Sequence, residues 1–366
     1  MNLTQAIAFF LPQYHPIPEN DAWWGKGFTE WTNVCKERPR FRGHYQPHLP
    51  ADLGYYDLRL PEVRQLQANL AKENGISGFC YYHYWFNKRR LLERPMNEVL
   101  KSGEPDFPFS LCWANGNWNR NWDGGNVKLL LEQNYSFSDD LDHIRYLCPI
   151  FADQRYIRVS GKPLFLVYQA SSLPDPKKTT EIWRNEAIKQ GIGELFLCRV
   201  ESFHTEQVDP TKIGFDAAVE FAPDWSCTGE LLGRGRFRKL VSMVNPHKRS
   251  FFSDRVFSYD QLAQRMLAKP QVSYPRYRCV TPMWDNSARR KNGATIFVGS
   301  TPAKYEFWLT EIAKSAGTDS SHEPLIFINA WNEWAEGNHL EPCIKWGNQY
   351  LKATQTALRS AASTIA

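Results

Sequence analysis

The sequence holds no C-x-x-C pair, no glycine-rich dinucleotide fingerprint, no P-loop and no apolar run near the ~20 residues of a membrane span. Its eight cysteines, Cys35, Cys80, Cys112, Cys148, Cys198, Cys227, Cys279 and Cys343, stand singly, which argues against a zinc ribbon and a thioredoxin-like site. Cys80, Cys112, Cys198 and Cys279 sit inside apolar runs, where a reduced thiol acts as a small hydrophobe. The first apolar run, Ala6–Leu11, starts almost at once and is too short for a secretory signal. A cytoplasmic, reducing setting is therefore expected. No His/Cys cluster has metal spacing, so neither a metal nor a cofactor is expected.

Charge of one sign is also scarce. Lys and Arg number 44 against 39 Asp and Glu, a net charge of +5. The basic clusters are short: Arg234, Arg236, Arg238 and Lys239, then Lys248 and Arg249, then Arg289, Arg290 and Lys291. They read as solvated surface, the alternative being an anionic partner such as nucleic acid or an acidic polysaccharide. No nucleic-acid motif accompanies them, so no nucleic-acid partner is expected.

Aromatic residues, by contrast, are 14% of the chain and include 14 Trp. A core needs few of these, and Trp and Tyr can stack on the apolar faces of sugar rings while their N–H and O–H groups hydrogen-bond. Short apolar runs recur at Ala6–Leu11, Gly78–Tyr82, Phe109–Trp113, Leu164–Tyr168, Leu195–Arg199, Ala217–Phe221, Arg278–Thr281 and Leu325–Asn329. Runs of this length suit strands buried on both faces. Helix-like stretches lie between most of them: Leu58–Glu73, Asp139–Ile150, Thr180–Lys189, Ser258–Leu267, Pro302–Ala316 and Gln349–Ala362. The alternation predicts an α/β chain with a (β/α)8 TIM barrel. With no repeat, linker or composition break, residues 1–366 read as one domain, with long loop insertions near 12–57 and 224–254.

Such a barrel puts its chemistry at the C-terminal strand ends. The last of these carries Asn329-Ala330-Trp331-Asn332-Glu333-Trp334-Ala335-Glu336-Gly337. A helical turn there would bring Glu333 and Glu336 to about 5–6 Å, and an extended one to roughly 10 Å. Both lie near the ~5–9.5 Å that glycosidic cleavage uses. Apolar aromatic walls would raise the carboxyl pKa values and a close pair would split them, giving one acid and one base. Two Glu on solvent would be ordinary, but a loop rarely exposes two Trp with them.

Other polar and aromatic residues at or near strand ends are candidates for sugar contact. His15 and His83 either hold a hydroxyl or sit hydrogen-bonded in packed loops. Asp123 and Asp285 either hold hydroxyls or cap turns. Trp24, Trp113, Trp118 and Trp284 either stack on sugar or glue the loops. Tyr14, Glu30, Tyr82, Asn115, Asn332 and Trp334 complete the set. Asp140-Leu141-Asp142 has the D-x-D form of nucleotide-sugar transferases, but it falls in a predicted first helical turn, where capping explains it.

Several segments together carry a resemblance: Phe10-Leu11-Pro12-Gln13-Tyr14-His15-Pro16-Ile17-Pro18, Trp23-Trp24-Gly25-Lys26-Gly27-Phe28-Thr29-Glu30-Trp31, Gly43-His44-Tyr45-Gln46-Pro47, Gly78 to Phe86, Arg158 to Pro163, and Asn329 to Gly337. The chain resembles the WbsX-type proteins of polysaccharide gene clusters, relatives of glycoside hydrolase family 99. The resemblance implies a retaining endo-α-mannosidase-like barrel. In those hydrolases the glutamate matching Glu333 deprotonates the sugar 2-hydroxyl, which attacks the anomeric carbon to give a 1,2-anhydro sugar. The one matching Glu336 protonates the leaving oxygen and then helps water open the ring. One departure is Gly116, where relatives are expected to carry Glu; another is Asn121, where they are expected to carry Arg. The expectation is an endo-glycoside hydrolase on a mannoside-like surface polysaccharide. Its alternatives are a glycosyltransferase or transglycosylase of O-antigen or capsular polysaccharide synthesis, and a non-catalytic glycan-binding protein.

Overall fold

The computed structural model describes residues 4–120, 128–232, 253–319 and 322–365. All eight apolar runs are strands: β1 (Gln5–Phe10), β2 (Ile76–Phe86), β3 (Phe109–Trp113), β4 (Lys162–Val167), β5 (Phe196–Glu201), β6 (Ala217–Glu220), β7 (Arg276–Val280) and β8 (Leu325–Ile328). Each pairs in parallel with its neighbour in the chain. β8 closes on β1, with Ile7 opposite Phe327. The result is the expected (β/α)8 barrel. Every residue of β3 and β8 is buried, because helices cover the outside and side chains fill the inside. Under the open end the filling is aromatic: the Phe9 ring lies 5.6 Å from Phe327, 5.7 Å from Tyr82 and 6.0 Å from Phe221.

The helices are α1 (Pro18–Trp24), α2 (Glu30–Lys36), α3 (Pro61–Glu73), α4 (Arg94–Ser102), α5 (Phe137–Phe151), α6 (Pro176–Lys189), α7 (Tyr259–Leu267), α8 (Pro302–Thr318) and α9 (Gln349–Ile365). Six match the predicted stretches. α4 was not expected, and α1 and α2, of seven residues each, occupy the first insertion. A helix of two turns is too short to leave a periodic signal. At the start of α5 the Ser136 hydroxyl accepts from the Asp139 amide, a normal N-cap. Asp140 accepts from the Thr179 hydroxyl at 2.6 Å while Asp142 reaches Lys88 at 2.7 Å. The D-x-D acids thus serve separate packing contacts.

Between β5 and β6 there is no α-helix, only two 3₁₀ turns, His204–Glu206 and Pro210–Ile213. Charged pairs cover the outer face instead. Arg199 meets Glu206 at 3.5 Å, Arg278 meets Glu220 at 2.9 Å, and the Tyr274 hydroxyl donates to Glu201 at 2.7 Å. A separate small sheet, Arg255–Ser258, Thr295–Val298 and Trp284–Asp285, places Arg255 beside Thr295 and Trp284 beside Phe297. Of the second insertion only the two ends are described, so Arg234, Arg236, Arg238, Lys239, Lys248 and Arg249 lie outside the described residues. All eight cysteines are free and seven are buried. Among the described residues no helix is long and apolar enough to cross a membrane.

Candidate active site

A cleft of about 640 Å³ opens over the C-terminal ends of the strands. β2 supplies one wall through its alternation: Tyr82 and Tyr84 line the cleft, whereas His83 and Trp85 point outward. His83 Nε2 lies 3.0 Å from His143 Nε2 on α5, and the Trp85 ring stacks on His143 at 4.7 Å. Trp118 stands next to Tyr84, with ring centres 5.3 Å apart, and Trp24 extends this aromatic wall. Across the cleft are Trp284 and Trp225, edge to face at 5.4 Å. The Trp284 indole N–H is buried and has no partner among the described residues.

The strand-eight segment settles neither into the helix nor into the extended form weighed above. Asn332 and Glu333 pair antiparallel with His339 and Asn338, and Trp334–Glu336 make one 3₁₀ turn. Positions three apart eclipse in such a turn, which turns Glu333 and Glu336 to one side. Gly337 closes it at φ +54°, where an added Cβ would stand 2.9 Å from the Asp285 side chain. Glycine is required there for both reasons.

One guanidinium holds the pair. Arg289 ends a 3₁₀ turn, Asn286–Arg289, that follows Trp284-Asp285. Its Nη2 donates to Glu333 at 2.7 Å, its Nη1 pairs with Glu336 at 2.7 Å, and its Nε donates to Glu30 at 3.2 Å. Carboxylates gripped by the two amino groups of one guanidinium have their near oxygens no more than about 8 Å apart, below the upper limit of about 9.5 Å for glycosidic chemistry. Burial pushes the Glu333 carboxyl up to about 8 against the opposing pull of Arg289, with Glu336 and Glu30 adding to the rise. Burial also raises Glu336, and Arg289 again opposes it. The three carboxylates outweigh the desolvation of Arg289 and keep it charged.

Of the residues expected to touch sugar, Trp24, Glu30, Tyr82, Trp118 and Trp284 border this cleft with Glu333 and Glu336. Others are placed elsewhere. Tyr14 is buried; its hydroxyl donates to the Asn332 carbonyl and accepts from the Trp334 amide. His15 is buried away from the cleft. His83 faces α5, and Trp113 is core, its indole donating to the Trp85 carbonyl at 3.1 Å. Asn115 exchanges two 2.8 Å bonds with the Gln169 backbone. Asn332 does the same with the Leu11 backbone, at 2.7 and 3.0 Å. Asp285 is bound by His44 at 2.6 Å and Gln46 at 2.8 Å, and these donors hold its carboxyl below the usual range. The Trp334 ring stacks on His339 at 3.7 Å, and its N–H donates to Glu341 at 2.6 Å. Side-chain direction, set by strand alternation and by loop hydrogen bonds, decides each of these placements. Asp123 lies outside the described residues. A Cβ at Gly116 would meet the Gln169 carboxamide at 3.3 Å, so Gln169 fills the space beside Gly116.

Sequence reasoning overlooked Arg289, read as surface, and Tyr84, which shares a face with Tyr82 and was legible from the period of two. Tyr168, Phe221, Trp225 and Asn286 also line the cleft.

A family model described as "Glycosyltransferase WbsX" matches residues 6–354. The chain belongs to the WbsX family. It is 46% identical over 357 residues to a Xanthomonas campestris protein described as "Uncharacterized protein WxcX", covering 97% of this chain and 50% of that one. This WbsX-family chain thus spans about half the length of the curated relatives it matches. Its fold is similar to an endo-α-mannosidase of glycoside hydrolase family 99 from Bacteroides thetaiotaomicron (TM-score 0.59, 14% identity, 98% of each chain). It is also similar to a solved "Glycoside hydrolase-like protein" (TM-score 0.62, 13% identity, 98% of this chain and 94% of that one).

Proposed function

We propose that this chain is a retaining endo-glycoside hydrolase that cuts a mannoside-like surface polysaccharide through a 1,2-anhydro sugar. The observation that carries this reading is the grip of Arg289 on both Glu333 and Glu336 at the floor of an aromatic-walled cleft. In the first step Glu333 takes the proton of the sugar 2-hydroxyl. The freed O2 attacks the anomeric carbon as the bond to the leaving oxygen breaks, and Glu336 gives that oxygen its proton. In the second step Glu336 takes a proton from water, the water oxygen attacks the anomeric carbon, the C1–O2 bond of the anhydride opens and Glu333 returns the proton to O2. Both glutamates end as they began, and one water has been added. Backside attack by O2 needs a leaving group trans to it, which α-mannosides provide.

The family's description as a glycosyltransferase favours a second reading, in which an acceptor hydroxyl takes the place of water. The seven buried free thiols support a reducing, cytoplasmic setting, and the resemblance supports a place in O-antigen or capsular polysaccharide metabolism. The test uses α-mannosides with aryl and with sugar leaving groups. Glu336→Gln should lose about 10²–10⁴-fold with the sugar leaving group and much less with a good aryl leaving group, which needs no acid. Glu333→Gln should lose both. Product masses separate hydrolysis from transfer, and equal losses in the Glu336 variant would overturn the role assignment.

A further inference from the structure

The wall built by the small sheet and the end of the turn before it carries cationic side chains beyond Arg289. Arg255 opens the strand Arg255–Ser258, is exposed, and borders the cleft with Arg290. Its Nη2 donates to the Thr295 hydroxyl at 2.8 Å, which anchors one end of the fork. No carboxylate among the described residues pairs with either arginine. The acid next to Arg255 in the chain, Asp254, is bound by Arg40 at 3.0 Å and by the Ala294 amide at 2.9 Å. The cleft's own acids, Glu30, Glu333 and Glu336, all meet Arg289. When Glu333 and Glu336 share one proton, as acid–base work requires, two negative charges face three arginines. Among the described residues one positive charge is then left over in the cleft. In the same cleft wall the buried indole N–H of Trp284 has no partner among the described residues.

We infer that the cleft takes a glycan bearing an anionic substituent, a carboxylate or a phosphate ester, held by Arg255 and Arg290 while the aromatic wall carries the sugar faces. An arginine fork suits either oxyanion. This deepens the proposed function and rests on it for the glycan, while its binding test is separate.

The test compares three α-linked mannose disaccharides: neutral, with one residue oxidised to the uronate, and with one residue 6-phosphorylated. Binding is read by calorimetry with Glu336→Gln protein, and turnover with wild type. One acidic disaccharide should bind about ten- to a hundredfold tighter than the neutral one, and which one it is names the substituent. The preference should weaken with added salt. Arg255→Gln should abolish most of it and Arg255→Lys should keep part of it. Preference without turnover of any disaccharide would uphold the inference and count against the hydrolase reading. Equal affinity for neutral and acidic forms, or an Arg255→Gln variant that retains the preference, would overturn the inference and leave the hydrolase reading standing.

Discussion

Glu341 accepts the indole N–H of Trp334 at 2.6 Å, behind the turn that carries the two cleft glutamates. The same carboxyl accepts from the Tyr56 hydroxyl at 2.8 Å and from the Gln67 amide at 2.6 Å. A carboxyl outside the cleft thus fixes the residue that lies between Glu333 and the rest of its turn.

Burial pushes Glu341 up to about 7, the three donors opposing. Its folded pKa lies above its unfolded one, so the native state holds the extra proton between about pH 4.5 and 7. Its contribution to stability is therefore present at acid pH and lost as pH rises through 7. Glu341→Gln should remove that slope at little cost, within about 1 kcal/mol. The Gln67 oxygen, which has no partner, can turn to meet the new amide. Glu341→Ala leaves the donors of Trp334, Tyr56 and Gln67 unmet and should cost on the order of 3 kcal/mol, with a loss of turnover as Trp334 shifts. Thermal midpoints at pH 5 and pH 8, with kcat/KM beside them, separate the two variants.

Arg289 supports stability and chemistry together. Arg289→Met would strand Glu30, which is wholly buried, at a cost of about 3–5 kcal/mol. It should also raise the titrations of Glu333 and Glu336, since the guanidinium lowers both. Arg289→Lys, a point charge that cannot span three carboxylates, should fold better and still lose at least about a hundredfold in kcat/KM. The check is the pH profile: its alkaline limb should move upward in both variants, more in Met. A rate loss with an unmoved limb would assign Arg289 a purely structural part.

For the wild type the pH dependence follows from sharing. Below both titrations Glu333 and Glu336 are protonated and no base remains. The pair shares its last proton, which burial holds up to about pH 8 at the Glu333 site; above that the pair has no proton to give. The kcat/KM profile should be a bell that falls above about pH 8. A profile still rising at pH 9 would show that the pair is not the acid–base machinery.

The barrel was legible because strands buried on both faces leave continuous apolar runs, and the strands Gln5–Phe10 and Leu325–Ile328 lie within a residue of the runs Ala6–Leu11 and Leu325–Asn329. The glutamate pair stood out because Trp331 precedes it and Trp334 lies within it. What sequence could not give is direction. His83 and Trp113 are residue types suited to sugar, but strand alternation turns one to α5 and buries the other in the core. Asn115 and Asn332 spend their amides on the loop backbones. Arg289 was hidden in a basic triplet with Arg290 and Lys291, because only the 3₁₀ turn at Asn286–Arg289 shows which of the three reaches the glutamates. The helix-free link between β5 and β6 leaves no periodic trace either, since its outer layer is made of charges.

The two faces of β2 can be altered separately. Tyr82 and Tyr84 meet whatever occupies the cleft, while His83 and Trp85 meet α5. A combinatorial library varied at the two tyrosines alone would retune recognition and leave the seam between barrel and helix intact. The same number of changes at the intervening positions would loosen that seam without altering what the cleft presents. One strand therefore offers an engineer two independent dials, interleaved residue by residue.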